Sequence, residues 1–262
     1  MPLSELMLNA GGFRIRLSVS DRVLLGRIRT AFPGGKRPSR SDMALRVDAA
    51  GSGLESEALP PRWMRLDGEG DYAAAFAPNL RQARVWVNPR APLRGLAGAL
   101  RRFHTRWLMA HGGAVFHAAC VVRTGQAYLF FGRSGAGKTT VCRLSRPARA
   151  AADDLIAVRV RRGRAVVWGL PAFHRPPYIL ANGPFPVRAA FILKQAAYVR
   201  LDRLTPAQAA ASMLGIPQDW AGPEPAAAAL EVAAALARTA PCYALHFRKD
   251  PLFWRDIQSK LG

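Results

Sequence analysis

The segment that most limits the fold is Phe130–Thr140, FFGRSGAGKTT, because a G-x-x-x-x-G-K-[ST] run needs a strand to enter it and a helix to leave it. A chain of this composition produces about 0.003 such matches by chance, so an incidental glycine turn is the weaker reading. Glycines at 132, 135 and 137 let successive backbone N–H groups turn inward onto phosphate oxygens. The KTTVCRL that follows reads as a helix whose positive end faces the same point. Gly132, Arg133, Ser134, Gly135, Ala136, Gly137, Lys138, Thr139 and Thr140 therefore form the expected nucleotide-binding run. Lys138 is expected to reach the β- and γ-phosphates, and Thr139 to place its hydroxyl on Mg²⁺.

How the loop is entered narrows the type of protein. The apolar runs AVFHAACVV and QAYLFFG are separated only by Arg123-Thr124-Gly125, a hairpin-sized connection, and the second run feeds the loop. Motors, pumps and small GTPases instead enter from a parallel sheet built through helical crossovers. They also follow the loop with an apolar strand ending in Asp. Here Asp153-Asp154 comes after SRPARAAA, which does not read as a strand, and before LIAVRV, which does. No LSGGQ-like signature or nucleotide-base motif of the small GTPases is present.

The remaining pattern is mixed. FRIRLSVS alternates Phe13, Ile15, Leu17 and Val19 against polar residues, the signature of a half-buried strand. Asp21 sits as an N-cap before Leu24, Leu25, Ile28 and Phe32, with Gly34-Gly35 as the stop. Short strands are expected at 43–48, 62–67, 72–77 and 83–88, with a DGEGD turn between the middle two and loops in GGKRPSRSD and DAAGSGLESEALPPR. Leu93, Leu96, Leu100, Phe103 and Trp107 recur at helical spacing over 92–110, a helix expected to bridge two halves. LIAVRV and AVVWGL flank RRGR as a second hairpin, and RAAFILKQ and YVRLDRL are further strands. Thr205-Pro206-Ala207-Gln208 is a capping box. The Ala-rich run at 225–240 reads as a helix too short and too charged to span a bilayer, and Asp250-Pro251 as the cap of a last helix with Phe253, Trp254, Ile257 and Leu261. Two regions follow: an N-terminal α+β region at 1–90, for which an acceptor-binding role is open, and a P-loop core at 91–262.

Charge and cysteines bound the partners. The chain of 262 residues carries a formal charge of +21, made of 33 arginines and five lysines against 17 acids, with most of the excess after residue 100. Such a surface attracts any anion, from nucleotide and acidic peptide to nucleic acid. No aromatic–basic recognition motif accompanies it, so nucleic acid ranks below a nucleotide and a peptide. Cys120, Cys142 and Cys242 are scattered and odd in number, which fits a reducing cytoplasm and gives neither a disulfide framework nor a zinc site. The first residues lack the layout of a signal peptide, and no membrane partner is expected.

The run FHAACVVRTGQAYLFFGRSGAGKTT…AADDLIAV resembles the HPr kinase/phosphorylase family and its relatives, which share a core with phosphoenolpyruvate carboxykinases. His117 lies 15 residues before Gly132 and Asp153 lies 21 after it, matching the family's histidine before the hairpin turn and Asp pair after the loop helix. WGLPAFHRPPY, VRAAFILKQAAYVRLDRLTPAQAAASML and YALHFRKDPLFW resemble the short members of that set, including lasso-peptide kinases. The resemblance implies an α/β (α+β) fold with a mixed-sheet kinase core and hairpin-fed P-loop, using ATP and Mg²⁺. It implies one aspartate of the pair as general base and the other assisting the metal with Thr139, Asp153 as base and Asp154 at the metal being preferred over the reverse order, with His117 orienting the acceptor or supporting the base. His174 is a further pocket residue in that picture, with a plain loop position the simpler reading. The glycine that usually follows the histidine is Ala118, and the segment by which true HPr kinases hold their protein substrate has no match. The expected activity is thus transfer of a γ-phosphoryl group to a hydroxyl, with serine of a peptide or small protein ahead of a small metabolite. A nucleic-acid-associated NTPase and a scaffold without chemistry are the alternatives, and a homo-oligomer is left open.

Overall fold

The computed structural model describes residues 4–31, 40–49, 60–68, 70–170, 183–216 and 223–262. Phe32, the Gly34-Gly35 stop, Glu69, His174 and most of the two expected N-terminal loops lie outside them. The chain is a mixed α+β protein of two compact units, one running to Trp107 and one starting at Leu108. Among the described residues there are fourteen strands and six helices, and no helix is long and apolar enough to cross a membrane.

The first unit is a six-stranded sheet with spatial order β1-β2-β3-β6-β5-β4. Its strands are β1 (Ser4–Ala10), β2 (Phe13–Val19), β3 (Met43–Ala49), β4 (Met64–Asp67), β5 (Tyr72–Phe76) and β6 (Gln82–Val87). β1 was not expected from the sequence. It pairs antiparallel with β2 across Gly11-Gly12, whose φ values of 64° and 77° suit the two-residue turn that matches strand twist. Helix α1 (Arg22–Ala31) starts where Asp21 Oδ1 accepts from Val23 N and Leu24 N at 2.7 and 2.9 Å. Helix α2 (Pro92–Met109) belongs to this unit as far as Trp107, through its apolar stripe. Phe103 meets Phe76 edge-on, and Trp107 stacks on Phe13 at 4.8 Å. His104 is buried there with Nδ1 2.6 Å from the Leu100 carbonyl, a core histidine rather than a ligand.

The second unit is built on an eight-stranded sheet of order β11-β10-β7-β8-β12-β14-β13, with β9 (Arg149–Ala152) against β7. The expected hairpins are present: β7 (Gly113–Arg123) with β8 (Gln126–Phe131), and β10 (Leu155–Arg161) with β11 (Arg164–Gly169). Each turns on two residues with positive φ, Thr124-Gly125 and Arg162-Gly163. β12 (Phe185–Gln195) pairs parallel with both β8 and β14 (Cys242–Phe247), and β13 (Arg200–Arg203) closes the edge. Phe130, Phe191 and Tyr243 stack across these three parallel strands at 5.1 and 5.9 Å, a ladder that holds their ends in register.

Alternation along β7 divides the core in two. Phe116, Ala118, Cys120 and Val122 face α4 (Pro206–Leu214) and α5 (Pro223–Thr239). Ala119 and Val121 face α3 (Lys138–Leu144) and α6 (Phe253–Leu261). The Thr205–Gln208 capping box is formed at both ends. Asp250 instead accepts from Leu252 N at 2.8 Å, two residues early, so Leu252 and not Asp250 is the cap of α6.

One expectation is overturned in a way that matters for the site. Arg149–Ala152, read as non-strand, forms β9 and pairs antiparallel with β7 through Cys120↔Ala152 and Val122↔Arg149. Three alanines carry little β propensity, but all three are buried against β7, so packing decides. β9 and β10 therefore run along the same edge of β7, broken only at Asp153-Asp154. There Ala118 N donates to the Asp154 carbonyl at 2.9 Å, which keeps the break attached to the sheet.

Candidate functional site

The glycine-rich segment leaves β8 at the carboxyl ends of three parallel strands, β8, β12 and β14, and enters α3. In open α/β sheets this is where ligands bind. Gly135 has φ +79° and Gly137 φ +107°, conformations L side chains rarely hold. A Cβ on Gly132 would come 2.6 Å from the Ala136 Cβ, and one on Gly137 2.7 Å from Phe247 Cζ, so the curl closes only with glycine at both. Lys138 Nζ folds over it, donating to the Gly132 and Arg133 carbonyls at 2.8 and 3.3 Å. Burial pushes its ammonium below the ordinary lysine value, opposed by the Asp154 and Asp153 carboxylates nearby.

Four of the expected side chains converge on the break in the β9–β10 edge. Thr139 Oγ1 is 3.5 Å from Asp153 Oδ2, and His117 Nδ1 is 3.2 Å from Asp154 Oδ1. His117 lies on β7 opposite Leu155, on the same face as Ala119 and Val121, and so toward α3. Two adjacent aspartates thus have different neighbours: one the hydroxyl at the start of α3, the other an imidazole on β7. The Asp153–Thr139 approach carries the pairing that Asp154 was expected to make. Arg133, Ser134 and Gly135 are exposed; Ala136, Lys138, Thr139 and Thr140 are half-buried.

Two residues of the site were not expected from sequence. Gln195 Nε2 donates to the Gly135 carbonyl at 2.6 Å, and the Phe247 ring backs Gly137. They stand opposite each other at the ends of β12 and β14. RAAFILKQ read as a strand but YALHF did not, so nothing in the sequence put their ends beside the loop. The other histidines are held elsewhere. His246 is 3.2 Å from Asp202 and stacked on Tyr198, and the His111 carbonyl accepts from Arg159 and Arg161. The guanidinium groups of Arg159 and Arg161, toward the turn end of the β10–β11 hairpin, are thereby partly tied to the chain's own backbone.

Could Mg²⁺ be held here? Among the described residues no three His, Cys, Asp or Glu side chains form a cage. Mg²⁺ bound with a nucleotide needs less than that: one or two protein oxygens, with phosphate and water completing an octahedron at 2.0–2.1 Å. Neighbouring oxygens of such a shell lie about 3 Å apart, and the Thr139–Asp153 pair at 3.5 Å fits that with a small closure.

The family model described as "SynChlorMet cassette protein ScmC" matches residues 102–261. No curated protein matches the sequence. Among solved structures, the Hpr(Ser) kinase/phosphatase from Coxiella burnetii is similar at 11% identity and a TM-score of 0.32, over 56% of this chain and 97% of that one. At that level the likeness is too weak to assign chemistry, which is left to the side chains themselves.

Proposed function

The chain belongs to the family of SynChlorMet cassette protein ScmC, and on the geometry of its site we propose that it is a Mg-ATP-dependent phosphotransferase with a hydroxyl acceptor. The observation that carries this reading is the convergence of Lys138, Thr139, Asp153, Asp154 and His117 at the mouth of a glycine loop. Residues 132–140 are the nucleotide-binding run in this reading. The loop's inward N–H groups and Lys138 hold the phosphates of the donor. Lys138 begins on the loop's own carbonyls and exchanges them for phosphate oxygens. Thr139 and Asp153 are the residues that would hold Mg²⁺, which when bound supplies charge neutralisation at the transferring phosphoryl group.

Transfer then needs a proton acceptor beside the incoming hydroxyl. We assign this to Asp154, with His117 Nδ1 orienting its carboxylate. This exchanges the two aspartates relative to the sequence expectation, on the strength of which neighbour each one faces. As the acceptor oxygen bonds to the γ-phosphorus, its proton passes to Asp154, the bond from phosphorus to the β–γ bridging oxygen breaks, and ADP leaves. The core is read as HPr kinase-like and the acceptor as serine of a peptide or small protein. The word cassette in the family's description makes peptides encoded beside it the first to test.

The test is intact-mass analysis of such peptides incubated with the protein, ATP and Mg²⁺. The expected result is one added phosphoryl group, lost in Asp154→Asn while nucleotide still binds. Asp153→Asn should instead raise the Mg²⁺ concentration needed. No addition to any peptide, or hydrolysis stimulated by nucleic acid, would overturn the proposal. Transfer lost in Asp153→Asn at every Mg²⁺ concentration but kept in Asp154→Asn would restore the opposite order.

A further inference from the structure

A second site lies at the far end of the same α3–β9 unit. The connection from α3 to β9, Leu144–Arg149, forms one wall of a cavity of about 670 Å³. The β7–β8 turn, Phe185, Pro251 and Trp254 complete it. That volume is in the range of small-molecule sites, roughly 300–1,000 Å³. Since α3 has seven residues, its two ends are about 10 Å apart, so this cavity is separate from the loop that opens α3.

Its chemistry is one-sided. Arg123, Arg146 and Arg149 line it, no acidic side chain does, and none of the three has an ion pair among the described residues. Three guanidinium groups around one hollow repel one another, and a bound anion relieves that. The chain is rich in arginine, so their number alone means little; how one of them is held means more. The Arg123 guanidinium lies over the Trp254 ring at 4.4 Å. That ring is fixed in turn, because its Nε1 donates to Ser145 Oγ at 3.0 Å and Ser145 Oγ donates to the Val141 carbonyl at 2.6 Å. Trp254 is also edge-on to Tyr128 and Phe130. Stacking pre-positions a planar cation, which lowers the entropy cost of each bond it makes to an oxyanion. Beside the charges stand apolar surfaces of Val122, Leu144, Pro147 and Phe185.

We propose that this cavity binds a small organic anion: a carboxylate or phosphate monoester carried on a flat apolar body. The oxyanion sits among Arg123, Arg146 and Arg149, and the apolar body lies against Phe185 and the proline and leucine wall. The proposal is independent of the phosphotransfer reading.

Two probes separate the possible sources of the anion, 1-naphthoate for a carboxylate and 1-naphthyl phosphate for a phosphate monoester. Each is titrated into the full chain by calorimetry, and again into Lys138→Ala so that binding at the glycine loop is not counted. The expected result is one saturable equivalent per chain for at least one probe, weakened tenfold or more in Arg146→Gln/Arg149→Gln. Both side chains are exposed, so the variant should fold. Arg161→Gln/Arg162→Gln removes the same charge from the exposed β10–β11 hairpin and should leave the affinity unchanged. No saturable binding of either probe would overturn the proposal. So would an equal loss in the hairpin variant, which would mean general attraction to a basic surface.

Discussion

Gly137→Ala tests whether the loop's shape comes from glycine chemistry or merely tolerates it. Gly137 sits at φ 107°, ψ 14°, and holding an L residue there costs about 1–3 kcal/mol. The added Cβ would also come 2.7 Å from Phe247 Cζ and 3.3 Å from its Cε1. Carbon contacts are comfortable at about 3.5 Å, so ring or loop must move by roughly 0.8 Å. Phe247 is 2% exposed and meets Phe253 edge-on at 5.9 Å, so the ring has little room. The loop side, with Arg133, Ser134 and Gly135 exposed, gives way first. The damage should therefore appear in ligand binding more than in folding. A distortion of about 2–4 kcal/mol corresponds to roughly 30- to 1,000-fold weaker nucleotide binding at 1.4 kcal/mol per decade. A fluorescent ATP analogue titrated with Mg²⁺ measures this, and thermal melting checks the fold. Adding Phe247→Leu removes the ring's far edge but not the φ strain, so the double variant should recover only part of the loss. Binding within twofold of the parent in Gly137→Ala would refute the reasoning, and complete rescue by Phe247→Leu would refute the strain component.

Three further outcomes follow from the same structure. Gly26 lies inside α1 with open space where a Cβ would go, so Gly26→Ala should stabilise that unit by about 0.5–1 kcal/mol in denaturant unfolding; a loss of stability would mean the helix needs its glycine. Arg162 holds a left-handed φ of 50° in the β10–β11 turn, so Arg162→Asn should gain roughly 0.5–1 kcal/mol, and a loss would show that the side chain holds the hairpin. Burial pushes the Cys142 thiol up to about 12 and the Cys242 thiol to about 11 from an ordinary value of 9.0. All three cysteines are buried and should resist a thiol reagent at pH 8 until the chain is unfolded. Because the unfolded thiols ionise first, the stability these groups contribute is complete below pH 9 and is lost as pH rises toward 11–12. Urea midpoints at pH 8 and 10.5 should differ by less in Cys142→Ala than in the parent, and an identical difference in both would remove the thiol from the account.

Why the sequence yields the loop and its hairpin but hides the arrangement of the aspartates comes down to which contacts are local. β7, its two-residue turn, β8, the glycines and α3 are one continuous stretch from 113 to 144, and each carries its own signal: apolar runs, turn residues, positive-φ glycines. β9 has no such signal. Arg-Ala-Ala-Ala is a strand only because β7 offers a partner 32 residues earlier, at Cys120↔Ala152. Without β9 the Asp pair reads as a turn before a strand. With it, Asp153-Asp154 becomes an interruption in one long edge, and the geometry changes meaning. An unbroken strand would turn successive side chains to opposite faces, one toward α3 and α6 and the other toward α4 and α5. At the break the Asp154 carbonyl is tied to β7 through Ala118 N, while the regular ladder is interrupted and the two carboxylates need not alternate strictly. One can meet Thr139 at the head of α3 while the next meets His117 on β7. The same reasoning gives Ala118 a place: its N–H anchors the break while its small side chain is fully buried toward α5. The position after the histidine is then constrained by packing and by one backbone donor, and Ala118→Pro, which removes that donor inside a central strand, should cost both the aspartates' arrangement and fold stability, read as lost phosphoryl transfer and a lowered melting temperature; unchanged transfer would show that this donor does not hold the break.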